Sequence, residues 1–207
     1  MRTIVYVDGF NLYYSALKNT SFKWLDLKAL CEGILKSHHN ITQIKYFTAL
    51  VSGKFDPHQP IRQQIYIRAL THHIPQFFPI YGKFLSHGVW APLETPTPSK
   101  KMTRIIKTEE KGSDVNLAVH LLHDAWLDLY DCAIVISNDS DLAESMRLVK
   151  EHHGKMIGLL CPKDGGHPSK ELRKHATFSR IITKKDLGSA QLPSPIPGTR
   201  IHKPPSW

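Results

Sequence analysis

The chain has 207 residues, 41% of them hydrophobic and 22% charged, which suits one folded α/β domain with its own core. Lysine and arginine outnumber aspartate and glutamate by 27 to 18, and the formal net charge of +9 favours a polyanionic partner such as a nucleic acid. The three cysteines are an odd number with no close pairing in sequence, which argues against a disulfide framework and a cysteine zinc site.

The predicted elements alternate between strands and helices along the chain. In order, the patterns predict a strand at 3–7, helices at 10–17 and 27–35, a strand at 41–51, a helix at 61–73, and one or two short strands within 77–90. A proline-rich loop at 91–101 and a strand at 104–108 follow. The remaining elements are a helix at 113–127, a strand at 132–137, a helix at 142–152, a strand at 155–161, a helix at 169–174 and a strand at 178–183. This alternation predicts a three-layer α/β/α fold with a central, mainly parallel sheet.

The two ends of the chain set expectations about location and domain limits. The N-terminus reaches a charge too early for a signal peptide, and no stretch approaches the apolar length of a membrane span. We therefore expect a cytoplasmic protein with no membrane partner. From Gly188 onward the chain is rich in proline and serine, so residues 1–187 are predicted to form the domain and residues 188–207 a flexible tail.

Four aspartates stand where strands end or helices begin. Asp8 follows the first predicted strand, Asp139 and Asp141 follow the strand at 132–137, and Asp114 opens the helix at 113–127. Ligands of open parallel sheets bind beyond the carboxyl ends of the strands, so these side chains are expected to converge. Four carboxylates without a counter-charge would repel one another, whereas Mg²⁺ prefers carboxylate oxygens and shares its shell with phosphate.

Each of these aspartates also has a purely structural interpretation. Asp8 with Gly9 could form only a turn, and Asp114 could only complement a helix N-terminus. Asp141 with Glu144 fits a helix cap, with Asp139 as the turn residue before it. The combination of all four at such positions favours a shared site over four coincidences.

Three sequence blocks resemble the NYN domain family, particularly the LabA-like branch of the PIN-like nucleases. The blocks are VYVDGFNL at 5–12, KGSDVNLA at 111–118 and ISNDSDL at 136–142, within a resemblance that covers about residues 1–185. The resemblance implies a Mg²⁺- or Mn²⁺-dependent ribonuclease site at the family's acidic positions, which are Asp8, Asp114, Asp139 and Asp141. Asn11 and Ser137 fall on the family's orienting asparagine and hydroxyl positions. Asn138 replaces a common glycine, and its tolerance of left-handed geometry should preserve the turn.

Other residues are weaker candidates for the site or its surroundings. Lys111 is a candidate phosphate contact, as are Lys100, Lys101, Arg104 and Lys107 near the proline-rich loop. The loop at 163–170, KDGGHPSK, is interpreted as a substrate-side loop. His120 and His123, with Asp124 beside them, lack a third ligand at a telling spacing for zinc. Trp126 and Leu122 are interpreted as core residues of their helix.

The sequence leaves three functions open. The first is a ribonuclease, the second another Mg²⁺-dependent phosphohydrolase, and the third a catalytically silent RNA-binding module. An intact acidic set argues against the third, because only catalysis needs the full carboxylate cluster. The sequence does not decide between RNA and DNA, between endo and exo attack, between one metal and two, or between a monomer and a homodimer.

Overall fold

A computed structural model describes residues 1–53, 56–162 and 167–207 of the chain. The strands are β1 (Arg2–Asp8), β2 (Asn40–Thr48), β3 (Phe77–Tyr81), β4 (Lys83–Thr97), β5 (Lys100–Lys111), β6 (Cys132–Ile136), β7 (Met156–Cys161) and β8 (Phe178–Ile181). The helices are α1 (Gly9–Leu12), α2 (Leu27–Ile34), α3 (His58–His73), α4 (Ser113–Trp126), α5 (Ala143–His153), α6 (Lys170–His175) and α7 (Lys184–Ser189). A π-helical turn (Tyr13–Leu17) continues α1, and a 3₁₀ turn (Ser140–Leu142) precedes α5.

Six strands form one sheet in the order β3-β2-β1-β6-β7-β8, and every neighbouring pair is parallel. The predicted fold class is therefore confirmed. The strand order reverses at β1, which pairs with β2 on one side and β6 on the other. The crevice of such a sheet lies outside the carboxyl ends of the strands at that reversal.

Side-chain alternation along β1 separates two apolar layers. Val5 and Val7 pack into a cluster with residues of α1, α2, α3 and α7, whereas Ile4 and Tyr6 pack into a second cluster with residues of α4, α5 and α6. A strand buried on both faces reads as a continuous apolar run, which is why residues 4–7 and 132–136 are so hydrophobic. None of the helices in the described ranges is long and apolar enough to cross a membrane.

Strands β4 and β5 form a separate antiparallel ribbon that differs from the predicted loop at 91–101. Pro92 and Pro96 suggested irregular structure because proline cannot donate to a sheet ladder. In a two-stranded ribbon, however, each strand has a neighbour on one side only. Residues whose backbone N–H would point to the open side can therefore be prolines. Pro92 accordingly pairs with Met102 within the ribbon.

The segment after Gly188 packs against the domain, so the prediction of a flexible tail was wrong. Leu192, Ile196 and Ile201 are buried, and the backbone N–H of Leu192 donates to the Trp24 carbonyl at 2.9 Å. The ring of Trp207 lies edge-on to those of Trp24 and Tyr66. Composition indicated disorder, but apolar residues spaced along a proline-rich segment can each fill a gap between elements.

Helix α4 also differs in part from its prediction. Leu122 packs against the second cluster as expected, but the Trp126 side chain is 78% exposed. Asp124 accepts bonds from the Lys45 ammonium and the Tyr6 hydroxyl, both at 2.6 Å, so it is a buried structural carboxylate. Of the predicted substrate-side loop, residues 163–166 lie outside the described residues.

Candidate active site

Asp8 is the carboxylate at the centre of the sheet's reversal point. It ends β1, is 3% exposed, and caps α1 by accepting the Asn11 backbone N–H at 2.9 Å through Oδ1. Its Oδ2 accepts the Ser137 hydroxyl at 2.8 Å. Burial raises the pKa of Asp8, and these two hydrogen bonds oppose that rise.

Gly9 explains why the chain can turn so tightly after Asp8. A Cβ at this position would lie 2.7 Å from Cζ of Tyr46 and 2.8 Å from the backbone oxygen of Phe47. Only glycine therefore allows α1 to start against β2. The first helix can then place Asn11 beside Asp8.

Asn11 and Ser137 make side-chain hydrogen bonds to the loop after β6, and their predicted action on a metal-bound water or a phosphate stays a prediction. The Asn11 side-chain oxygen accepts the Asn138 N–H at 3.0 Å, and the Ser137 hydroxyl oxygen accepts the Asp139 N–H at 3.0 Å. The loops after β1 and β6 are thus joined by side chains. Asn138 does not use left-handed geometry, because Asp128 is the non-glycine residue with positive φ in the described ranges.

Asp139 and Asp141 follow β6 in a single short turn. Asp139 is half-buried, and its Oδ1 accepts the Asp141 N–H at 3.0 Å. The sequence left open whether Asp141 caps the helix that follows. The structure shows Asp139 as the N-cap of the 3₁₀ turn before α5. Asp141 itself is exposed at the start of the turn.

Asp114 lies in the first turn of α4 and faces the other acids. Its pKa is raised to about 6, first by burial and then by the negative charges of Asp8, Asp139, Glu110 and Asp141. This response shows that the carboxylates from three chain segments act on one another. The structure thus brings all four predicted aspartates to one edge of the sheet.

Glu110 is a fifth carboxylate that sequence reasoning missed. It lies near the end of β5, its Oε1 accepts the Ser113 N–H at 3.0 Å, and its charge raises the pKa of both Asp8 and Asp114. Glu109 forms ion pairs with Lys107 and Lys111. Because side chains alternate along a strand, Glu110 lies on the opposite face of the ribbon from Lys107, Glu109 and Lys111. If β5 had been predicted as one long strand ending at residue 111, Glu110 would have been expected beside Asp114.

Lys111 was predicted to contact phosphate. Its ammonium lies 3.2 Å from Oε2 of Glu109, so it pairs on the ribbon face opposite Glu110. The structure does not place this ammonium with the acidic cluster.

The donor set fits a hard divalent cation in its chemistry, since all five groups offer carboxylate oxygens. No three His, Cys, Asp or Glu side chains in the described ranges are close enough to hold one ion together. Burial is the main cause of the raised pKa values of Asp8 and Asp114, and the neighbouring negative charges add to it.

Comparison with known proteins identifies relatives of the whole chain. It is 32% identical to 6-hydroxy-3-succinoylpyridine 3-monooxygenase HspA of Pseudomonas putida, over 100% of this chain and 75% of that protein. A solved structure of a protein of unknown function from Vibrio parahaemolyticus matches with a TM-score of 0.55 at 15% identity, covering 92% of this chain and 96% of that one. That likeness supports the fold alone.

The family model for the NYN domain matches residues 2–182, which include all five carboxylates of the candidate site. Assignment to the LabA-like branch stays a prediction. The chain belongs to the NYN domain family and has its nuclease-like fold.

Proposed function

We propose that the chain is a metal-dependent ribonuclease that hydrolyses phosphodiester bonds at the edge of the sheet where β1 and β6 end. The observation that carries this proposal is geometric: Asp8 at the end of β1 and Asp139 after β6 are joined through the Ser137 hydroxyl at 2.8 and 3.0 Å. Asp114 lies close enough for the charges of both to raise its pKa. A fold that crowds acids in this way is under electrostatic strain, which a divalent cation would relieve. Acids crowded for purely structural reasons would each be expected to have a basic partner.

Asp8, Asp114 and Asp139 would hold Mg²⁺ or Mn²⁺, with Asp141 and Glu110 as further oxygen donors. When bound, the ion would supply charge stabilisation for the phosphoryl oxygens and a more acidic water. Ser137 and the Asn11 backbone N–H hold the Asp8 carboxylate in a single orientation through its two oxygens. The bond from Asn11 to the Asn138 N–H holds the loop after β6 in register with that carboxylate.

Support for a nucleic-acid substrate comes from charge. The formal net charge is +9 although the candidate site itself is acidic, so cationic side chains are concentrated elsewhere. The β4–β5 ribbon carries Lys100 and Lys101 near its turn and Arg104 opposite the exposed Trp90. The other end of the ribbon reaches the site through Glu110. Basic and aromatic side chains together are typical of surfaces that bind single strands. RNA as the substrate rests on this charge and on the family.

The experiment compares metal-dependent cleavage of single-stranded RNA and DNA by the wild type and by Asp8→Asn and Asp139→Asn. Glu32→Gln is the matched control, because this exposed glutamate of α2 lies shortly before β2, at the opposite edge of the sheet. We expect at least a hundredfold loss of RNA cleavage in the two aspartate variants and none in the control. Absence of cleavage by the wild type with any divalent ion would refute the proposal, as would unchanged cleavage by Asp139→Asn.

A second candidate function comes from the Pseudomonas relative, whose name describes a monooxygenase of 6-hydroxy-3-succinoylpyridine. Identity along the whole chain makes that chemistry worth a direct test. The protein is incubated with this pyridine, oxygen and a reduced nicotinamide, and mass spectrometry searches for a product altered by oxygen insertion. Turnover there without RNA cleavage would favour the second candidate over the nuclease.

A further inference from the structure

A cleft opens directly beside the acidic cluster, on the face of the sheet that carries α1 and α3. It has about 670 Å³ of empty space, part of which is open solvent. Its near wall is Gly9 and Phe10, the two residues after Asp8. The cleft and the acids therefore share the turn that ends β1.

Six of the fifteen lining residues are aromatic. They come from four parts of the chain: Phe10, Tyr13 and Tyr14 after β1, Tyr46 on β2, Tyr66 on α3, and Trp207 in the terminal segment. Phe10 and Tyr14 are stacked with ring centroids 6.5 Å apart, and Tyr13 meets Tyr14 edge-on at 5.3 Å. Such walls suit a flat ring better than a flexible aliphatic chain.

Tyr46 contributes a hydroxyl that the protein does not use. Its side chain is 8% exposed, and its hydroxyl makes no hydrogen bond within the described ranges. That oxygen lies 2.8 Å from where a Cβ of Gly9 would stand, so it faces the near wall. The hydroxyl of Tyr66, by contrast, donates to the Leu25 carbonyl at 2.8 Å. The Tyr46 hydroxyl can therefore donate to a ligand and accept from it.

Polar groups on α3 face the same space. The Gln59 amide makes no hydrogen bond within the described ranges and offers both a donor and an acceptor, whereas the Gln63 amide is committed to Ala49 and Val51. The Arg62 guanidinium pairs with Asp56 through one nitrogen and retains further donors. Lys23 adds a second cation to the rim.

We propose that this cleft binds the base of the substrate nucleotide next to the phosphodiester bond that is cleaved at the acidic cluster. The ring would lie against Phe10 and Tyr14, its polar edge would meet the Tyr46 hydroxyl and the Gln59 amide, and Arg62 would contact the neighbouring phosphate. The cleft would thereby fix which phosphodiester bond reaches the acids. This inference rests on the proposed nuclease function for the identity of the ligand.

Binding is tested on the full chain with Mg²⁺, because a mononucleotide has no phosphodiester bond to cleave. Calorimetric titration uses the four nucleoside 5′-monophosphates, ribose 5-phosphate as the base-free probe, and 6-hydroxy-3-succinoylpyridine as a free heteroaromatic acid. We expect at least one nucleotide to bind at least tenfold more tightly than ribose 5-phosphate. Tyr46→Phe and Gln59→Ala should each weaken that nucleotide about tenfold. Tyr81→Phe, which removes an exposed hydroxyl outside the cleft, should change nothing.

The outcomes separate the cleft from the nuclease. Equal affinity for ribose 5-phosphate and every nucleotide overturns the inference, even if RNA is cleaved. Preference for the pyridine acid over every nucleotide also overturns it, because the ring would then belong to a free small molecule. Selective nucleotide binding without RNA cleavage supports the cleft and refutes the nuclease.

A second readout uses RNA with a single abasic nucleotide moved along the strand. We expect one position, adjacent to the cleaved bond, to raise KM at least tenfold in the wild type and to have little further effect in Tyr46→Phe. Equal effects at every position would refute a base-specific cleft. Circular dichroism of each variant confirms that its fold is retained.

Discussion

Replacement of Asp114 by asparagine should stabilise the metal-free protein at neutral and alkaline pH. The pKa of this carboxyl is raised from 3.8 to about 6, which is about two pH units. At about 1.4 kcal/mol per unit, ionisation would cost at most about 3 kcal/mol of folding free energy. Asp114 is half-exposed, so solvent screening reduces the expected cost to about 1 kcal/mol.

The sign of this effect fixes its pH dependence. A carboxyl whose pKa is higher in the folded state binds its proton more tightly there, so ionisation disfavours folding. The cost is absent below about pH 4, where Asp114 is protonated in both states, and complete above about pH 6. The amide introduced by Asp114→Asn carries no charge at any pH. The variant should therefore be about 1 kcal/mol more stable than the wild type at pH 8, and the difference should vanish near pH 4.

Urea denaturation in EDTA at pH 4, 6 and 8 measures this difference through the unfolding midpoint. Glu94→Gln is the control for removal of one negative charge, since Glu94 is exposed on β4 far from the cluster in the ribbon. Addition of Mg²⁺ at pH 8 should stabilise the wild type more than the variant, because the ion loses one ligand. A variant that is less stable at pH 8, or a difference that does not change with pH, would refute the assignment of Asp114 to a crowded acidic site.

Four further variants test the packing of the fold, each by urea denaturation. Asp124→Asn should cost about 3–5 kcal/mol, because it leaves the Lys45 ammonium buried without its carboxylate; a loss below about 1 kcal/mol would contradict that account. Gly158→Ala should destabilise the sheet, since its Cβ would lie 2.3 Å from the Phe178 ring, whereas Gly33→Ala in α2 meets nothing within 4 Å and should gain about 0.5–1 kcal/mol. Ile196→Ala should cost about 2–5 kcal/mol if the terminal segment is part of the cooperative fold, and no loss would show that it unfolds separately.

The central sheet could be predicted because local pattern and tertiary environment agree there. Strands β1 and β6 are buried on both faces, and their continuous apolar runs end in acids whose position follows from the parallel arrangement. Asp8 and Ser137 could therefore be paired in advance. The Asp26 cap of α2 was equally visible, because capping depends on neighbours in sequence.

The errors occurred where non-local packing decides the outcome. Helix α4 is apolar around much of its circumference, so periodicity could not tell that Leu117 and Leu121 face the sheet while Trp126 faces solvent. Glu110 was missed because its role depends on the long ribbon that returns the chain to the start of α4. Trp207 was missed because its partners, Trp24 and Tyr66, are distant in sequence.

The β4–β5 ribbon has a consequence for how this protein could diversify. No residue between 83 and 111 belongs to the buried apolar core of the described chain. Substitutions along most of the ribbon should therefore leave the fold's stability nearly unchanged. Selection could alter the ribbon's length, charge and aromatic content while the sheet and its acids stay constant. The fold thus separates the part that must be conserved for chemistry from a part that is free to evolve toward new substrates.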